Sequence, residues 1–505
     1  MSWFYNMKDI VDFSSDEYGD KIAFKYKVSK NEIEEKSYKE LKRDSEGFSS
    51  VLANIGMIGK HIVLVGATSY KWIYCYFGIV NSNSVVVPLD ALLPAADLCE
   101  LIERSDAEIV IYDTAREDLV NEIKERNKRV KYIISMKNEE DRNGVYSLDN
   151  LMSKYMDRYS TKIDNEKMCS IQFTSGTTGK SKGVMLNHRN LTENAIFTQM
   201  KIKPGTVSLT VLPIHHSFCF TMDILKGISL GLCICINDSI IRVSKNMKLF
   251  KPEVMCLVPM IIESMYDKLV EATGMKPKKL VAKLAFGGNL KNIYSGGAYL
   301  NPKYIEGFEK YGITVLQGYG MTECSPVIST NYLHERKNNS VGRLLANCEV
   351  KIVDNEILVK GSSVMLGYYK MEEESKEVLQ DGWLKTGDLG YVDKDGFIFI
   401  TGRKKNLIIL SNGENISPEE IENSLIENKI VQEVLVSNKE NVITAEVYPR
   451  LEYIEKKNIK DVPGEIQRVV DEYNYRVPSY KNINKLIVRE REFEKTTSKK
   501  IKRTS

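Results

Sequence analysis

The sequence predicts an α/β protein with a large multi-layer N-terminal domain, residues 1–402, followed by a small α+β domain, residues 403–505. Through about residue 330, short apolar runs alternate with longer helix-like segments, which is the pattern of α/β layers. From about Glu349 the pattern changes to short strands separated by turn residues, and a helix start follows at Ser417. A chain of 505 residues also exceeds what one hydrophobic core supports, so two or more domains are expected.

The elements of the large domain are predicted from its apolar runs. A longer helix-like segment predicts a helix over 94–104. Apolar runs of strand length predict strands over 61–66, 84–88, 108–112 and 207–212.

The region 349–402 is predicted to be a β-rich subdomain that closes the large domain. The pair Asp354-Asn355 and the run 393–396 are turn signals. The run 397–400, Phe-Ile-Phe-Ile, follows the second turn and is expected to form a strand.

The small domain begins with a helix start signal. Ser417 is placed as the N-cap, Pro418 as the first helical residue and Glu420 as the glutamate of a capping box. Ile421 starts the apolar face of this helix, and residues 433–436 form a strand-like run after it. Together they predict a compact α+β domain.

Composition excludes several classes of protein. The formal net charge of +3 gives no global argument for nucleic-acid binding, and the basic run 495–503 is typical of a solvated tail. The 9 cysteines are scattered and lack the paired spacing of a zinc site, so free thiols in the cytoplasm are expected. The N-terminus lacks the pattern of a signal peptide, and Lys226 interrupts the most apolar region, so no membrane span is expected.

Residues 174–183, Thr-Ser-Gly-Thr-Thr-Gly-Lys-Ser-Lys-Gly, form the most informative segment. Glycines allow the backbone to approach an anion closely, hydroxyls donate hydrogen bonds and lysines supply charge. The flanking runs 171–173 and 184–186 are strand-like, so the segment predicts a phosphate-binding loop between two strands. The residues concerned are Thr174, Ser175, Gly176, Thr177, Thr178, Gly179, Lys180, Lys182 and Gly183.

The P-loop of nucleoside triphosphatases is the alternative interpretation of this segment. That motif requires a glycine five positions before the glycine of Gly-Lys-Ser. Gly179, Lys180 and Ser181 are present, but Thr174 occupies the required glycine position. The spacing therefore rules out a P-loop.

Further motifs follow the loop in a fixed order. They are Ser295-Gly-Gly-Ala298, Gln317-Gly-Tyr-Gly-Met-Thr-Glu323, Thr386-Gly-Asp388, Gly402-Arg-Lys-Lys405 and the basic run 495–503. In this order they resemble the AMP-forming acyl-CoA synthetases, the adenylate-forming family that includes acyl- and aryl-CoA ligases and peptide-synthetase adenylation domains. The likeness covers nearly the whole chain, reaching back to Tyr38-Lys-Glu-Leu41 and Val87-Pro-Leu-Asp90. It is greatest to the bacterial long-chain fatty-acyl-CoA synthetases.

The resemblance implies the adenylate-forming enzyme fold with a mobile C-terminal domain, and it implies ATP, Mg²⁺ and coenzyme A as ligands. It places the β- and γ-phosphates of ATP on the loop 174–183, the α-phosphate at Thr322 and Mg²⁺ at Glu323. The Tyr319 ring is expected to stack on the adenine, and Gly320 is expected to be a further nucleotide-binding residue. Gly296, Gly297 and Ala298 leave space for the base.

The resemblance also assigns roles near and within the small domain. Asp388 is expected to accept the ribose hydroxyls, which suits a bidentate carboxylate, and Arg403 to contact the same nucleotide. Lys405 matches the hinge, Gly413 the coenzyme A channel and Lys500 the lysine that bridges the acid and the α-phosphate.

Three positions leave the match open or depart from it. Lys499 stands where the family has a glycine, so the assignment between Lys499 and Lys500 is open. His216 matches a histidine near the acyl carboxylate, although the adjacent His215 is the alternative. Asn289 stands where long-chain enzymes often carry a basic residue.

The predicted function is ATP-dependent ligation of a carboxylic acid, expected to be a fatty acid, to coenzyme A through an acyl-adenylate. One alternative is an acyl-AMP ligase or adenylation enzyme that loads a carrier protein. Cys219 stands where an amine-binding aspartate is usual, which disfavours an amino acid substrate, although Asp223 is nearby. The alternative of another class is a non-catalytic nucleotide-binding protein.

Overall fold

A computed structural model of the chain describes residues 4–29, 32–113, 117–174, 181–409, 415–439, 442–495 and 501–503. The chain forms two compact units. The large unit consists of Met1–Glu349 and Val359–Leu384, and the small unit of Val350–Leu358 and Lys385–Ser505.

The first sheet of the large unit is mixed, and two of the predicted nucleotide-binding motifs, 295–298 and 317–323, lie at its strand ends. Its parallel strands are apolar and buried because helices cover them. In spatial order its strands are Arg343–Leu344, Val327–Thr330, Thr314–Gly320, Asn292–Ser295, Val254–Leu257, Val207–Thr210, Cys233–Ile236, Ile22–Lys27 and Ile33–Ser37.

The second sheet of the large unit contains the predicted loop-flanking strands. The strands predicted over 61–66, 84–88 and 108–112 are confirmed within one residue at each end. In spatial order its strands are Gly367–Tyr368, Lys182–Asn187, Met168–Thr174, Val85–Leu89, His61–Val65, Ile109–Tyr112, Tyr132–Ser135 and Tyr146–Ser147.

Helices of the large unit pack on these sheets, and the helix predicted over 94–104 is confirmed as Ala95–Arg104. The sequence-adjacent segments Cys219–Leu225 and Lys226–Ser229 form a buried π-helix and the α-helical turn that follows it. The other α-helices are Met7–Tyr18, Tyr38–Asn54, Tyr70–Val80, Glu117–Arg126, Leu148–Tyr155, His188–Phe197, Val243–Phe250, Pro259–Thr273, Lys278–Phe286, Pro302–Glu309 and Glu372–Val378. Short 3₁₀ turns cover Ile240–Arg242 and Thr322–Cys324.

The predicted β-rich region does consist of short strands. Asp354 and Asn355 both adopt positive φ between two strands, and Gly396 does so in the turn before the strand predicted over 397–400. The strands are Cys348–Val353, Glu356–Gly361, Leu379–Gln380, Trp383–Val392 and Ile398–Arg403.

The α+β part of the small unit has its own apolar core. Its α-helices are Pro418–Ile426, Leu451–Lys457 and Val462–Arg476, with 3₁₀ turns at Lys404–Asn406 and Ser479–Lys481. Its strands are Ile408–Ile409, Asn415–Ile416, Val431–Lys439, Val442–Pro449 and Lys485–Val488.

The helix start at Ser417 is confirmed, but the predicted capping box is wrong. Ser417 is the N-cap and Pro418 the first helical residue, yet the Ser417 hydroxyl donates to Glu419 at 2.9 Å. Glu420, the expected box partner, instead accepts from Lys481 Nζ at 2.9 Å. A lysine charge therefore competes successfully with the backbone N–H for this carboxylate.

Two expectations from composition can be compared with the structure. All cysteines are free and buried, which agrees with the prediction of unpaired thiols. Among the residues that the structure describes, no helix combines the length and the hydropathy needed to span a bilayer. Lys226, which interrupts the apolar region, is itself 4% exposed.

Candidate active site

The two strands predicted to flank the phosphate-loop motif are both present. Met168–Thr174 and Lys182–Asn187 pair antiparallel, with Thr174 opposite Lys182. The predicted phosphate-binding residues Ser175, Gly176, Thr177, Thr178 and Gly179, as well as Lys180, lie outside the described residues.

Gly183 was predicted to let the backbone approach an anion, but the structure gives another reason for a glycine at this position. It lies within the return strand, where an added Cβ would come to 2.9 Å from Ile171 Cγ2 and 3.2 Å from Phe173 Cε1. The absence of a side chain at Gly183 therefore allows close packing across the hairpin rather than approach to an anion.

Glu323, the predicted Mg²⁺ ligand, is held in a buried hydrogen bond. Its carboxylate accepts from the Tyr368 hydroxyl at 2.9 Å, and Glu323 is 9% exposed. Burial and the neighbouring carboxylate raise the pKa of Tyr368, which keeps this hydroxyl protonated as a donor. Lys182 Nζ lies 4.8 Å from the centroid of the Tyr368 ring. The structure thus joins the end of the phosphate-loop hairpin to Glu323 through one tyrosine.

Tyr368 was not found by sequence analysis. Its strand, Gly367–Tyr368, pairs with the return strand so that Tyr368 lies opposite Val184. The hydrogen bond between Tyr368 and Glu323 joins positions that are 45 residues apart, and no local sequence motif predicts it. The lone signal was a tyrosine pair, Tyr368-Tyr369, between a glycine and a lysine.

The turn that carries Thr322 and Glu323 is fixed by its surroundings. The turn joins strands Thr314–Gly320 and Val327–Thr330, and Met321 N–H donates to Pro326 O at 2.8 Å. Gly320 has no room for a side chain, because a Cβ would lie 1.9 Å from Pro326 O.

Asn194 holds the same turn from a buried position on helix His188–Phe197. Its Nδ2 donates to Cys324 O at 3.0 Å and Val327 O at 2.7 Å, and its Oδ1 accepts from Val327 N–H at 3.1 Å. One amide side chain thus satisfies three backbone groups of the turn. Asn194 is a positioning residue that sequence analysis missed.

The histidine segment lies beside the turn and the glycine motif. Ser217 Oγ is 3.2 Å from Thr322 Oγ1. The Phe218 ring fills the space above Gly296, where a Cβ would lie 2.9 Å from Phe218 Cζ, and Gly297 has a φ of 86°. The structure therefore brings three predicted motifs together: the histidine segment, the turn at Thr322 and the glycines of 295–298.

Tyr319 and Ala298 complete the predicted adenine region. Tyr319 is partly exposed at the end of the strand Thr314–Gly320, directly before the turn. Ala298 is exposed in the loop that follows the strand Asn292–Ser295. A partly exposed phenol ring at this strand end provides a surface on which a base can stack.

The two histidines differ in environment. His215 Nε2 lies 3.8 Å from Asp90 Oδ2, and burial together with the neighbouring His216 lowers the pKa of His215 to about 4. His215 is therefore neutral at pH 7. The rings of the two residues are 4.6 Å apart, and His216 is exposed. His216 is thus the more accessible of the pair, while His215 is turned toward Asp90.

Asp223, which follows the histidine segment in sequence, is a buried acidic residue. Asp223 is 4% exposed on the π-helix, and its Oδ2 accepts from Thr210 Oγ1 at 2.8 Å. Cys219 Sγ is 3.9 Å from the same oxygen. Burial raises the pKa of Asp223 to about 7.

In the small unit, the two predicted nucleotide-binding residues Asp388 and Arg403 contact each other. Asp388 and Arg403 are directly opposed on antiparallel strands, and Arg403 Nε donates to Asp388 Oδ1 at 2.8 Å. Asp388 is 3% exposed, and its backbone N–H donates to Thr386 Oγ1 at 3.1 Å. Gly387 has a φ of 71°, a left-handed conformation that favours glycine in this motif.

The remaining predicted residues of the small unit are placed as follows. Lys405 is exposed in the 3₁₀ turn Lys404–Asn406. Gly413 and Lys500 lie outside the described residues, as does Lys499. The residues grouped around Glu323 and those around Asp388 belong to different units.

The residues around Glu323 fit a nucleotide-bound Mg²⁺. Within the described ranges no group of three or more metal-ligating side chains occurs. Mg²⁺ in ATP-dependent enzymes is usually held by one or two carboxylates, substrate phosphates and water rather than by a cage of side chains. A single buried carboxylate near the phosphate-loop hairpin matches that donor set.

Comparison with known proteins identifies relatives in sequence and similar structures. The chain is 29% identical over 487 residues to 4-coumarate–CoA ligase-like 9 of Oryza sativa subsp. japonica, covering 89% of this chain and 83% of the relative. It is 27% identical over 481 residues to the long-chain-fatty-acid–CoA ligase of Salmonella typhimurium, covering 85% of this chain and 82% of the relative.

A solved structure confirms the predicted fold. The anthranilate CoA ligase AuaEII, in complex with anthranoyl-AMP, superposes with a TM-score of 0.85 at 20% identity, covering 99% of this chain and 96% of that one. Residues 11–369 match the family model of the AMP-binding enzymes, and residues 405–505 match that of the AMP-binding enzyme C-terminal domain. Since the first match alone covers well over half of the sequence, the chain belongs to the family of AMP-binding enzymes.

Proposed function

We propose that the protein activates a carboxylic acid with ATP to an acyl-adenylate and transfers the acyl group to coenzyme A, giving acyl-CoA, AMP and pyrophosphate. The observation that carries the proposal is the buried Glu323 carboxylate, linked through Tyr368 to the phosphate-loop hairpin, within a chain of this family. The names of the two relatives, one a CoA ligase and the other CoA ligase-like, support coenzyme A as the acceptor.

The chemistry of adenylate formation explains why hydroxyl, lysine and carboxylate side chains are expected at the phosphate-binding positions. A carboxylate must approach the α-phosphorus of ATP, so two anions meet and pyrophosphate leaves with additional charge. One charge pair about 4 Å apart contributes on the order of 4 kcal/mol at an effective dielectric of about 20. We assign the β- and γ-phosphates to the loop 174–183, the α-phosphate to Thr322 and the phosphate-bound Mg²⁺ to Glu323. Mg²⁺, when bound, neutralises phosphate charge.

The acid substrate is proposed to lie beside the histidine segment. His216 is exposed and directly precedes Ser217, whose hydroxyl lies next to Thr322. A carboxylate placed between His216 and Thr322 would be close to the α-phosphate, as the reaction requires. The fatty acids are the first substrate class to test, since the Salmonella relative is named a long-chain-fatty-acid–CoA ligase.

The small unit is proposed to supply the remaining groups. Asp388 accepts the ribose hydroxyls and Arg403 contacts the nucleotide, with their present ion pair orienting both side chains. Lys500 bridges the acid and the α-phosphate. Lys405 is the hinge at the boundary between residues 1–402 and 403–505, and Gly413 lines the coenzyme A channel. The start of the C-terminal family match at residue 405 supports this boundary.

The proposal is tested by the two half-reactions. Exchange of labelled pyrophosphate into ATP, screened over C2 to C18 fatty acids and aryl acids, reports adenylate formation. Lys500→Ala is expected to abolish this exchange but to retain thioester formation from supplied acyl-AMP and coenzyme A. Absence of exchange with every acid in the panel would contradict the proposed reaction.

The acceptor is tested separately. Thioester yield is compared with free coenzyme A and with a phosphopantetheine-bearing carrier protein, both supplied with the best acid of the panel. We expect the product with free coenzyme A. Product formed with the carrier protein alone would instead identify an acyl-AMP ligase.

A further inference from the structure

Two segments of the large unit, residues 239–251 and 274–291, contain cations and no acidic residue. The first holds Arg242, Lys245, Lys248 and Lys251, and the second holds five lysines. The whole chain, in contrast, balances 71 Lys and Arg against 68 Asp and Glu. The two segments are therefore a local concentration of positive charge, not a reflection of the composition.

The same segments expose large apolar side chains. Single exposed apolar residues are normal on a protein surface, but a group of them within two short segments is informative. The exposed fractions are 60% for Ile240, 91% for Ile241, 46% for Leu249, 103% for Met275, 49% for Leu280 and 64% for Leu284.

The two segments lie side by side on the surface. The helices Val243–Phe250 and Lys278–Phe286 bury one face each in the same hydrophobic cluster. At the end of the second helix, Gly287 lies against the first, since a Cβ there would be 2.3 Å from Met247 O. We call the outer surface of residues 239–251 and 274–291 the basic apolar face.

The helical period places lysine and leucine together on this face. In the first helix Met247 is buried and Lys248 and Leu249 are exposed. In the second, Leu280, Lys283 and Leu284 are exposed at spacings of three and four residues, which puts them on one side. The second helix therefore has an apolar edge outside the core, and the first helix adds Leu249, in both cases beside a lysine.

Two cations of the face are neutralised by neighbouring carboxylates, and most of the others, all within the described ranges, are not. Arg242 pairs with Asp238 at 2.9 Å and Lys291 with Glu253 at 2.6 Å, both acids outside the two segments. In the described part of the chain, Lys245, Lys248 and Lys283 form no ion pair. A ligand for this face must supply negative charge and accept apolar side chains at the same time.

We propose that the basic apolar face binds the surface of an anionic lipid bilayer. Exposed Ile and Leu side chains enter the boundary between headgroups and acyl chains, while neighbouring lysines remain at the phosphate level. A second copy of the chain is disfavoured as the occupant, because a symmetric contact would bring two uncompensated lysine clusters together. The attachment is peripheral, and it does not depend on which acid the enzyme activates.

Vesicle sedimentation of the full-length protein tests the proposal. We expect binding to phosphatidylcholine vesicles containing about one third phosphatidylglycerol, weak binding to phosphatidylcholine alone, and loss of binding at high salt. Replacing Lys245, Lys248 and Lys283 by Gln is expected to weaken partitioning by roughly fivefold per lysine, about a hundredfold together. Ile241→Ser with Leu284→Ser is expected to weaken it at least tenfold.

Matched controls lie on the small unit. Lys456→Gln with Lys457→Gln removes exposed lysines of helix Leu451–Lys457, and Tyr475→Ser removes an apolar side chain that is 93% exposed. Both are expected to leave partitioning unchanged, and all variants should keep the parent thermal midpoint and pyrophosphate exchange without vesicles.

Three results would overturn the proposal. The first is an absence of preference for anionic vesicles. The second is sensitivity to the lysine changes but not to Ile241→Ser with Leu284→Ser, which would indicate adsorption of any polyanion. The third is a concentration-dependent dimer that disappears with Leu284→Ser in the absence of lipid.

Discussion

Tyr368 and Glu323 form the residue-scale link on which the proposed Mg²⁺ position depends. The 2.9 Å hydrogen bond gives a buried carboxylate its partner while the tyrosine ring stays in contact with Lys182. A hydrogen bond to a charged group contributes about 1.5–3 kcal/mol. Tyr368→Phe removes the donor and keeps the ring, so we expect kcat/KM for pyrophosphate exchange to fall by about ten- to a hundredfold.

The neighbouring tyrosine provides the control for this variant. Tyr369 donates to Asp106 at 2.7 Å, so Tyr369→Phe removes an equivalent hydroxyl bond without touching Glu323. Exchange rates are measured against Mg²⁺ concentration for both variants. A Tyr368→Phe enzyme with the parent rate and Mg²⁺ dependence would show that the Glu323 position does not need this hydrogen bond.

The raised pKa of Asp223 predicts that the free energy of unfolding depends on pH. Its pKa is raised from 3.8 to about 7 in the folded chain, so between these values the folded state holds a proton that the unfolded state has lost. The contribution of this group to stability is therefore present below about pH 4 and is lost as pH rises to about 7. At roughly 1.4 kcal/mol per pH unit, the loss is about 4 kcal/mol.

Asp223→Asn removes this titration while an amide oxygen can still accept from Thr210. We expect the variant to gain stability relative to the parent between pH 5 and pH 8, by a few kcal/mol. Urea unfolding of both proteins at the two pH values measures the difference. Parallel pH dependence in parent and variant would mean that Asp223 ionises normally in the folded chain.

At the scale of elements, the turn between strands Thr314–Gly320 and Val327–Thr330 determines where Thr322 and Glu323 lie. Gly320→Ala would place a methyl carbon 1.9 Å from Pro326 O, a backbone atom, so the turn itself must move. Displacements of about 1 Å in a catalytic site reduce rates by about 10²-fold. We expect pyrophosphate exchange to fall by about that factor while the circular dichroism spectrum is retained.

Gly205→Ala separates backbone strain from displacement of the turn. Gly205 has a φ of 82° and open space around it, so alanine there costs stability without contacting any neighbour. It is expected to lower the thermal midpoint slightly and to leave exchange unchanged. Equal losses of exchange in both variants would show that the effect of Gly320→Ala is general destabilisation.

At the scale of the whole molecule, local patterns predicted elements well and contacts between distant segments poorly. The strands 61–66 and 108–112 are apolar because parallel strands are covered on both faces, and that property is visible in sequence. Tyr368 and Glu323, and likewise Asn194 and Val327, are far apart along the chain, and no periodicity reports such pairs. Lys226 interrupts the most apolar region of the sequence, and its burial in the folded chain was not predicted.

In the small unit, too, the sequence did not predict which charged residues pair with each other. Asp388 and Arg403 were each predicted to contact the nucleotide, and the strand register that pairs them was not visible in sequence. The glutamate expected in a capping box contacts Lys481 instead, 61 residues along the chain. Which charged residues form ion pairs depends on which of them the fold places close together, and the composition of the chain does not give that information.

The proposed hinge gives a prediction that involves the whole chain. Lys405 is exposed in the 3₁₀ turn Lys404–Asn406, a conformation whose φ proline can adopt. Lys405→Pro should fold because the turn is exposed, but it fixes φ at this residue and disfavours the helical conformation of Lys404 before it. If the second half-reaction requires rotation at residue 405, the variant keeps pyrophosphate exchange and loses thioester formation from supplied acyl-AMP by at least tenfold.

Lys405→Ala is the matched control, because it removes the charge and leaves the backbone free to rotate. It is expected to retain both half-reactions at near the parent rate. Single-turnover measurement of each step in the three proteins separates the cases, since a charge effect would appear in Lys405→Ala and a backbone effect in Lys405→Pro alone. Loss of both steps in a folded Lys405→Pro protein would move the hinge away from residue 405, because adenylate formation does not require the rotation proposed there.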